Sequence, residues 1–409
     1  MKQLTAVLKA FSFVFILTAC SNDTQQKQPP NKKDSTIAKP LFLKDTAREV
    51  KSVAPAFNDT LNEMAAIIAG EWKDGNIYNT TGNAAVYRSY ANTMNKRWHL
   101  FDSTRIKVLT EFRNRELDGY TKNSGILFYP FSGPDYLYPG IFFPDSKKII
   151  MLGLEPVGTM PAFNAISPDS LAPYFGKLNT SLYAILNFSF FRTESMKRDL
   201  QSGELNGTLH LLLLFMHRTG CRFVAARPLT IDTNGVKQYY PSFEKLNTEK
   251  LKTKGIEISF VDASGIQKEL NYLSLDASDY YLKNNVGFRK FIQQQGNFMT
   301  YLKGASYLLH KTHFSITRNL ILNQSSMVVQ DDSGIGIKYF LQDSDKWEFR
   351  FYGQYTKPIR KFAGQYQPLL DSMYKLNGAT KLDFGLGYNF KDKNSNFMIA
   401  RLRSGNTRS

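Results

Sequence analysis

Short strand-like apolar runs, separated by helical stretches, restrict the fold of this chain more than any other feature. Ile126-Leu127-Phe128-Tyr129 is ended by Pro130, and Lys148-Ile149-Ile150-Met151-Leu152-Gly153-Leu154 is ended by Glu155-Pro156. Runs this short and this apolar between turn residues suit buried strands. A short helix reaching Phe143 lies between them. Helical stretches at about Asp169 to Gln201 and Leu205 to His217 precede a third strand, Arg222 to Leu229. Strands separated by helices predict α/β layering.

The ends of the chain differ in texture. Val50, Val53, Phe57, Leu61, Met64 and Ile68 step by three and four, which predicts a helix that Pro55 starts or kinks and Gly70 stops. Tyr87, Tyr90, Met94, Trp98, Phe101, Val108 and Phe112 form a second stripe. Ile256 to Val261 and Glu269 to Leu275 predict a hairpin across Asp262-Ala263-Ser264-Gly265, followed by a helix from about Val286 to His310. Ser326 to Val329, Ile335 to Leu341, Trp347 to Tyr352, Asp383 to Phe390 and Phe397 to Arg403 read as strands. The expectation is a mixed sheet flanked by helices, with a helical N-terminal part and a β-rich C-terminal part. Residues 41–409 read as one domain; the alternative is two domains splitting near residues 235–255.

The segment before the body reads differently. Lys2 and Lys9 flank a basic start, Ala10 to Leu17 is apolar, and Leu17-Thr18-Ala19-Cys20 closes the run. About eight apolar residues are too few to span a bilayer and read as a secretory signal. Residues 17–20 resemble the lipobox of bacterial lipoproteins. That resemblance implies removal of residues 1–19, lipid on Cys20, and a membrane anchor in the cell envelope. With Ser21 rather than aspartate after the cysteine, it favours the outer membrane. Residues 20–40, rich in Gln, Pro, Asn and Lys, then form a flexible tether. No later apolar run approaches the roughly 18 residues of a membrane span; the longest is Leu211 to Met216.

Cys20 and Cys221 are the only cysteines, so a lipidated Cys20 leaves Cys221 as a lone, buried structural thiol. The chain carries 52 basic and 35 acidic side chains. In the envelope that excess suits anionic polymers, glycans or head groups, with no nucleic acid partner expected.

Candidate chemistry is sparse. Phe131-Ser132-Gly133-Pro134-Asp135 stands where a strand passes to a helix, and Glu155 ends the next strand. This loosely resembles the first βαβ unit of nucleotide- or S-adenosylmethionine-binding Rossmann domains, where a tight turn brings backbone amides to the ligand. The G-x-G-x-x-G spacing is absent and Pro134 lacks an amide, so no cofactor is expected. Ser132 lacks the glycines of a hydrolase elbow and needs a histidine from elsewhere in the chain. His310 and His313, three apart, would share a helix face and could hold a metal with Asp331 and Asp332. Histidines that end a helix, favoured by its negative terminus, are the preferred reading, and no metal is expected. Gln330-Asp331-Asp332-Ser333-Gly334 reads as a hairpin turn, with its carboxylates as acid–base candidates. Aromatics crowd residues 128–143, in a core or along a glycan groove. The expected role is a lipid-anchored binding or structural module for anionic envelope components or glycans. The alternative is a hydrolase working at Ser132 and Asp135, or at Asp331 and Asp332.

Overall fold

The computed structural model describes residues 55–71, 84–122, 125–161, 163, 166–188, 200, 205–390 and 395–403; the signal, Cys20 and the tether lie outside them. Ten strands form one sheet: β1 Ile126–Tyr129, β2 Lys148–Gly153, β3 Arg222–Ile231, β4 Lys237–Tyr239, β5 Lys254–Val261, β6 Gln267–Ser274, β7 Phe298–Leu302, β8 Ser325–Gln330, β9 Trp347–Gly353 and β10 Asn396–Leu402. Their order is β4-β3-β5-β6-β2-β1-β7-β8-β10-β9. The five central strands, β6-β2-β1-β7-β8, are parallel. Antiparallel pairs extend the sheet on both sides.

The central strands are apolar on both faces because both faces are covered. Leu127 and Tyr129 of β1 join one core, which also takes Leu61, Tyr87, Phe142, Leu178 and Leu213 from helices Asp59–Ile68, Ala84–Phe101, Leu137–Phe142, Pro168–Phe188 and Leu209–Arg218. Phe128, between them, points into the opposite core, with Phe288, Ile321 and Leu370 from helices Val286–Gln293, Ser315–Gln324 and Pro368–Asn377. The fold is therefore α/β, a mixed sheet between helical layers.

The first described helix begins at Asp59, where the Asn58 side chain accepts from the Leu61 amide at 3.0 Å; Pro55 lies before it. Leu209–Arg218 is buried from Leu209 through Met216 and so is apolar all round. Within it His210 is wedged between Tyr174 and Thr159. Its Nε2–H donates to the Thr159 carbonyl at 3.0 Å, which leaves Nδ1 to accept from the Tyr174 hydroxyl at 3.0 Å. No helix among the described residues is long and apolar enough to cross a membrane.

Three expected elements differ. The helix expected to run from Val286 to His310 stops at Gln293; Gly296, at φ 71°, turns the chain, and Phe298–Leu302 is the fully buried strand β7. Ile335 to Leu341 is not a strand. The Gln330 amide takes both main-chain groups of Ile335 (2.8 and 2.9 Å) that a strand would pair, and a helical turn follows at Ile337–Phe340. Gln330 to Gly334 is consequently no hairpin but the turn leaving the carboxyl end of β8. Asp383 to Phe390, expected as a strand, is also irregular, and β10 pairs with β8 and β9; residues 391–394 lie outside the described set. Residues 235–255 carry β4 and helix Phe243–Thr248 between β3 and β5, which pair with each other.

Candidate functional site

Numbered by first appearance, the parallel centre reads 3-2-1-4-5, the strand order of doubly wound sheets. After β1 the chain first adds strands on one side, β2 and β6, and then crosses to the other side for β7 and β8. At that reversal the loops leaving β1 and β7 diverge and open a crevice at the carboxyl ends. A cleft of about 770 Å³ lies there, lined from the ends of β1, β2, β6 and β7 and from segments near Phe362 and Tyr388.

The turns that shape it are conformationally unusual. Phe131, Ser306 and Tyr307 are the non-glycine residues with positive φ among the described residues (61°, 55° and 56°), and all three belong to loops leaving β1 or β7. Such backbone persists where the surroundings over-determine it, and it gathers at functional sites. After β7 the surroundings are identifiable: Asp331 Oδ2 accepts from the Gly304 amide at 2.9 Å and Ser333 Oγ from the Ala305 amide at 2.9 Å.

Two acidic residues stand on the β2 and β6 side. Glu155, just past β2, is buried and lines the cleft, its backbone carbonyl accepting from the Tyr272 hydroxyl at 2.9 Å. Gly153 makes room for this, since a Cβ there would meet both the Tyr272 hydroxyl and Glu155 Oε2. Asp276, past β6, is half-buried and lines the same wall.

The floor is a buried ion pair. Lys303, just past β7, sets its ammonium 2.5 Å from Asp135 Oδ2 and 3.3 Å from the centre of the Tyr138 ring; its side chain is 0 % exposed. Tyr129 donates to the same Asp135 oxygen at 3.0 Å, while Asp135 Oδ1 is buried without a hydrogen bond among the described residues. Burial lowers the Lys303 pKa to about 8, against the opposing pull of Asp135.

The other sequence candidates fall into different roles. Ser132 lines the cleft but donates to main-chain carbonyls, with Gly133 O at 2.9 Å and Leu152 O at 3.1 Å, and no histidine is bonded to it among the described residues. Asp331 and Asp332 lie buried after β8 beside the cleft: Asp331 is bound by the Ser333 amide and hydroxyl, Asp332 by Tyr307 (2.6 Å) and Asn396 (2.9 Å). Burial, then the neighbouring Asp332 charge, pushes Asp331 up to about 6. His310 and His313 fall in separate 3-10 turns, His310 half-buried and lowered to about 4 by burial, His313 exposed. They share no helix face, and no group of three metal-ligating side chains is found among the described residues. The aromatics at 128–143 are core residues; of these only Phe131 lines the open cleft partly exposed. Cys221 is buried, its thiol pushed up to about 11 by burial and so kept unreactive.

No known family, curated protein or solved structure matches the chain. Lys303 is the residue that sequence reasoning missed. Its signal was a lysine placed directly after a buried apolar run and followed by Gly304-Ala305-Ser306.

Proposed function

We propose that the chain is a lipid-anchored envelope protein whose body binds a small nucleoside-type ligand in the cleft at the carboxyl ends of the parallel strands. One observation carries the binding reading: the Glu155 carboxylate ends β2 beside the β1 turn, at the reversal of strand order. A carboxylate in that place accepts from the two hydroxyls of a ribose. Phe131, Leu154 and Phe314 supply apolar lining for a base. A discrete cleft favours a small ligand over a polymer lying in a surface groove, and burial of the aromatics at 128–143 other than Phe131 speaks against a row of rings stacked on a glycan there. Ser132 donates to main-chain carbonyls and no histidine is bonded to it among the described residues, so its geometry does not favour the hydrolase alternative.

The test is calorimetric titration with adenosine. Wild type should bind saturably, and Glu155→Gln should weaken binding roughly 10- to 100-fold, as expected for hydrogen bonds to a charged acceptor. Unsaturable binding by the wild type, or equal affinity in both proteins, would sink the reading. The anchor rests on residues 17–20 and is tested separately. Cys20→Ser should release the protein from membranes and remove the acyl mass from the mature chain; a variant that stays membrane-bound would refute the tether.

A further inference from the structure

The two sides of the cleft differ in sign, and the topology causes it. Glu155 and Asp276 follow β2 and β6 on one side of β1, whereas Lys303 and Lys311 follow β7 on the other. Lys361, from the turn Arg360–Gln365, adds a second exposed ammonium to the lining. Lys303 is neutralised by Asp135, but neither Lys311 nor Lys361 has a carboxylate within 4.0 Å among the described residues. Between the basic residues and the body, Phe362 packs on Tyr307 and Tyr388 at 5.1 and 4.9 Å, and Tyr307 in turn is held by Asp332. The turn that carries Lys361 is thereby fastened to the strained loop after β7.

We propose that Lys311 and Lys361 form an anion subsite of this cleft, so that its ligand carries a phosphate-type group opposite the end that meets Glu155. The ligand is then a nucleoside phosphate rather than a bare nucleoside. The inference rests on the nucleoside reading for the position of the ribose but not for the presence of the anion subsite. Two flexible ammonium groups suit phosphate as point charges, without the fixed fork of arginine. Being exposed, they bind with a strength that falls as salt rises, since the screening length shrinks from about 10 Å at 0.1 M to about 3 Å at 1 M.

The test titrates adenosine, AMP and inorganic pyrophosphate into the whole body, wild type and Lys311→Ala/Lys361→Ala, at low and high salt. AMP should bind wild type at least about tenfold more tightly than adenosine at low salt. That ratio should shrink with salt and fall below about twofold in the double variant. Equal affinity for AMP and adenosine, or a ratio unchanged in the variant, overturns the subsite and leaves the nucleoside reading intact. Pyrophosphate binding that the variant loses, with no binding of adenosine or AMP, supports the subsite and overturns the nucleoside reading. Binding of none of the three overturns both. Circular dichroism of the variant checks that the fold is kept; both lysines are exposed, so their removal leaves no buried group unpaired.

Discussion

Replacing Lys303 by methionine is expected to destabilise the folded body by about 3–5 kcal/mol at neutral pH, because it strands the Asp135 carboxylate in the interior. Both side chains are essentially inaccessible to solvent. Without the ammonium, Asp135 keeps only the Tyr129 hydroxyl as a side-chain donor among the described residues. The pair itself is not a large net stabiliser, since desolvation of two charges offsets most of their attraction. The second arm of the experiment follows from this: Lys303→Met with Asp135→Leu should recover most of the lost stability. Urea unfolding of the three proteins decides it. A loss below 1 kcal/mol in the single variant, or a double variant no more stable than the single, would contradict the uncompensated-charge account.

Acid should unfold the protein partly through His210. Burial lowers its folded pKa to about 4 from an ordinary value of 6.5. The unfolded chain therefore takes up this proton first as pH falls, and protonation favours unfolding. The stability concerned is complete above pH 6.5 and is lost as pH drops toward 4, by about 3 kcal/mol across the window. The raised carboxyls of Asp331 and Asp332 act with the opposite sign, while His310 acts with the same sign. The informative quantity is accordingly the difference between wild type and His210→Gln. Glutamine can still donate to Thr159 and accept from Tyr174, so the variant should lose the His210 slope while keeping the packing. Parallel stability-versus-pH curves for the two proteins would disprove the assignment.

The layered α/β arrangement was legible because the central strands are buried on both faces and so read as continuous apolar runs. Strand β7 escaped because Phe298-Met299-Thr300-Tyr301-Leu302 follows a true helix with only Gly296 to mark the break. Ile335 to Leu341 looked like a strand because periodicity cannot reveal that Gln330 would occupy its main-chain groups. Asp135 could be named from its place after β1. Its partner could not, because the two are joined only when the chain crosses from β6 to β7, and nothing local announces a buried lysine. Asp331 and Asp332 stood out as paired carboxylates, yet their hydrogen bonds hold the loop beneath the cleft instead of facing a ligand.

The placement of β1 has a kinetic consequence. Its neighbour on one side, β2, arrives after a single short helix, but Leu127 pairs on the other side with Met299, and β2 itself must wait for β6. Helices Pro168–Phe188, Leu209–Arg218 and Phe243–Thr248 and the antiparallel strands β3 to β5 lie between them among the described residues. The sheet centre, and with it the cleft, therefore closes only after most of the chain is available, whereas the hairpin β5–β6 can form locally. Contacts of such separation in sequence make folding slow. Until β7 docks, β1 presents an apolar, unpaired edge, and this is the stage at which the chain is most exposed to association with other copies of itself.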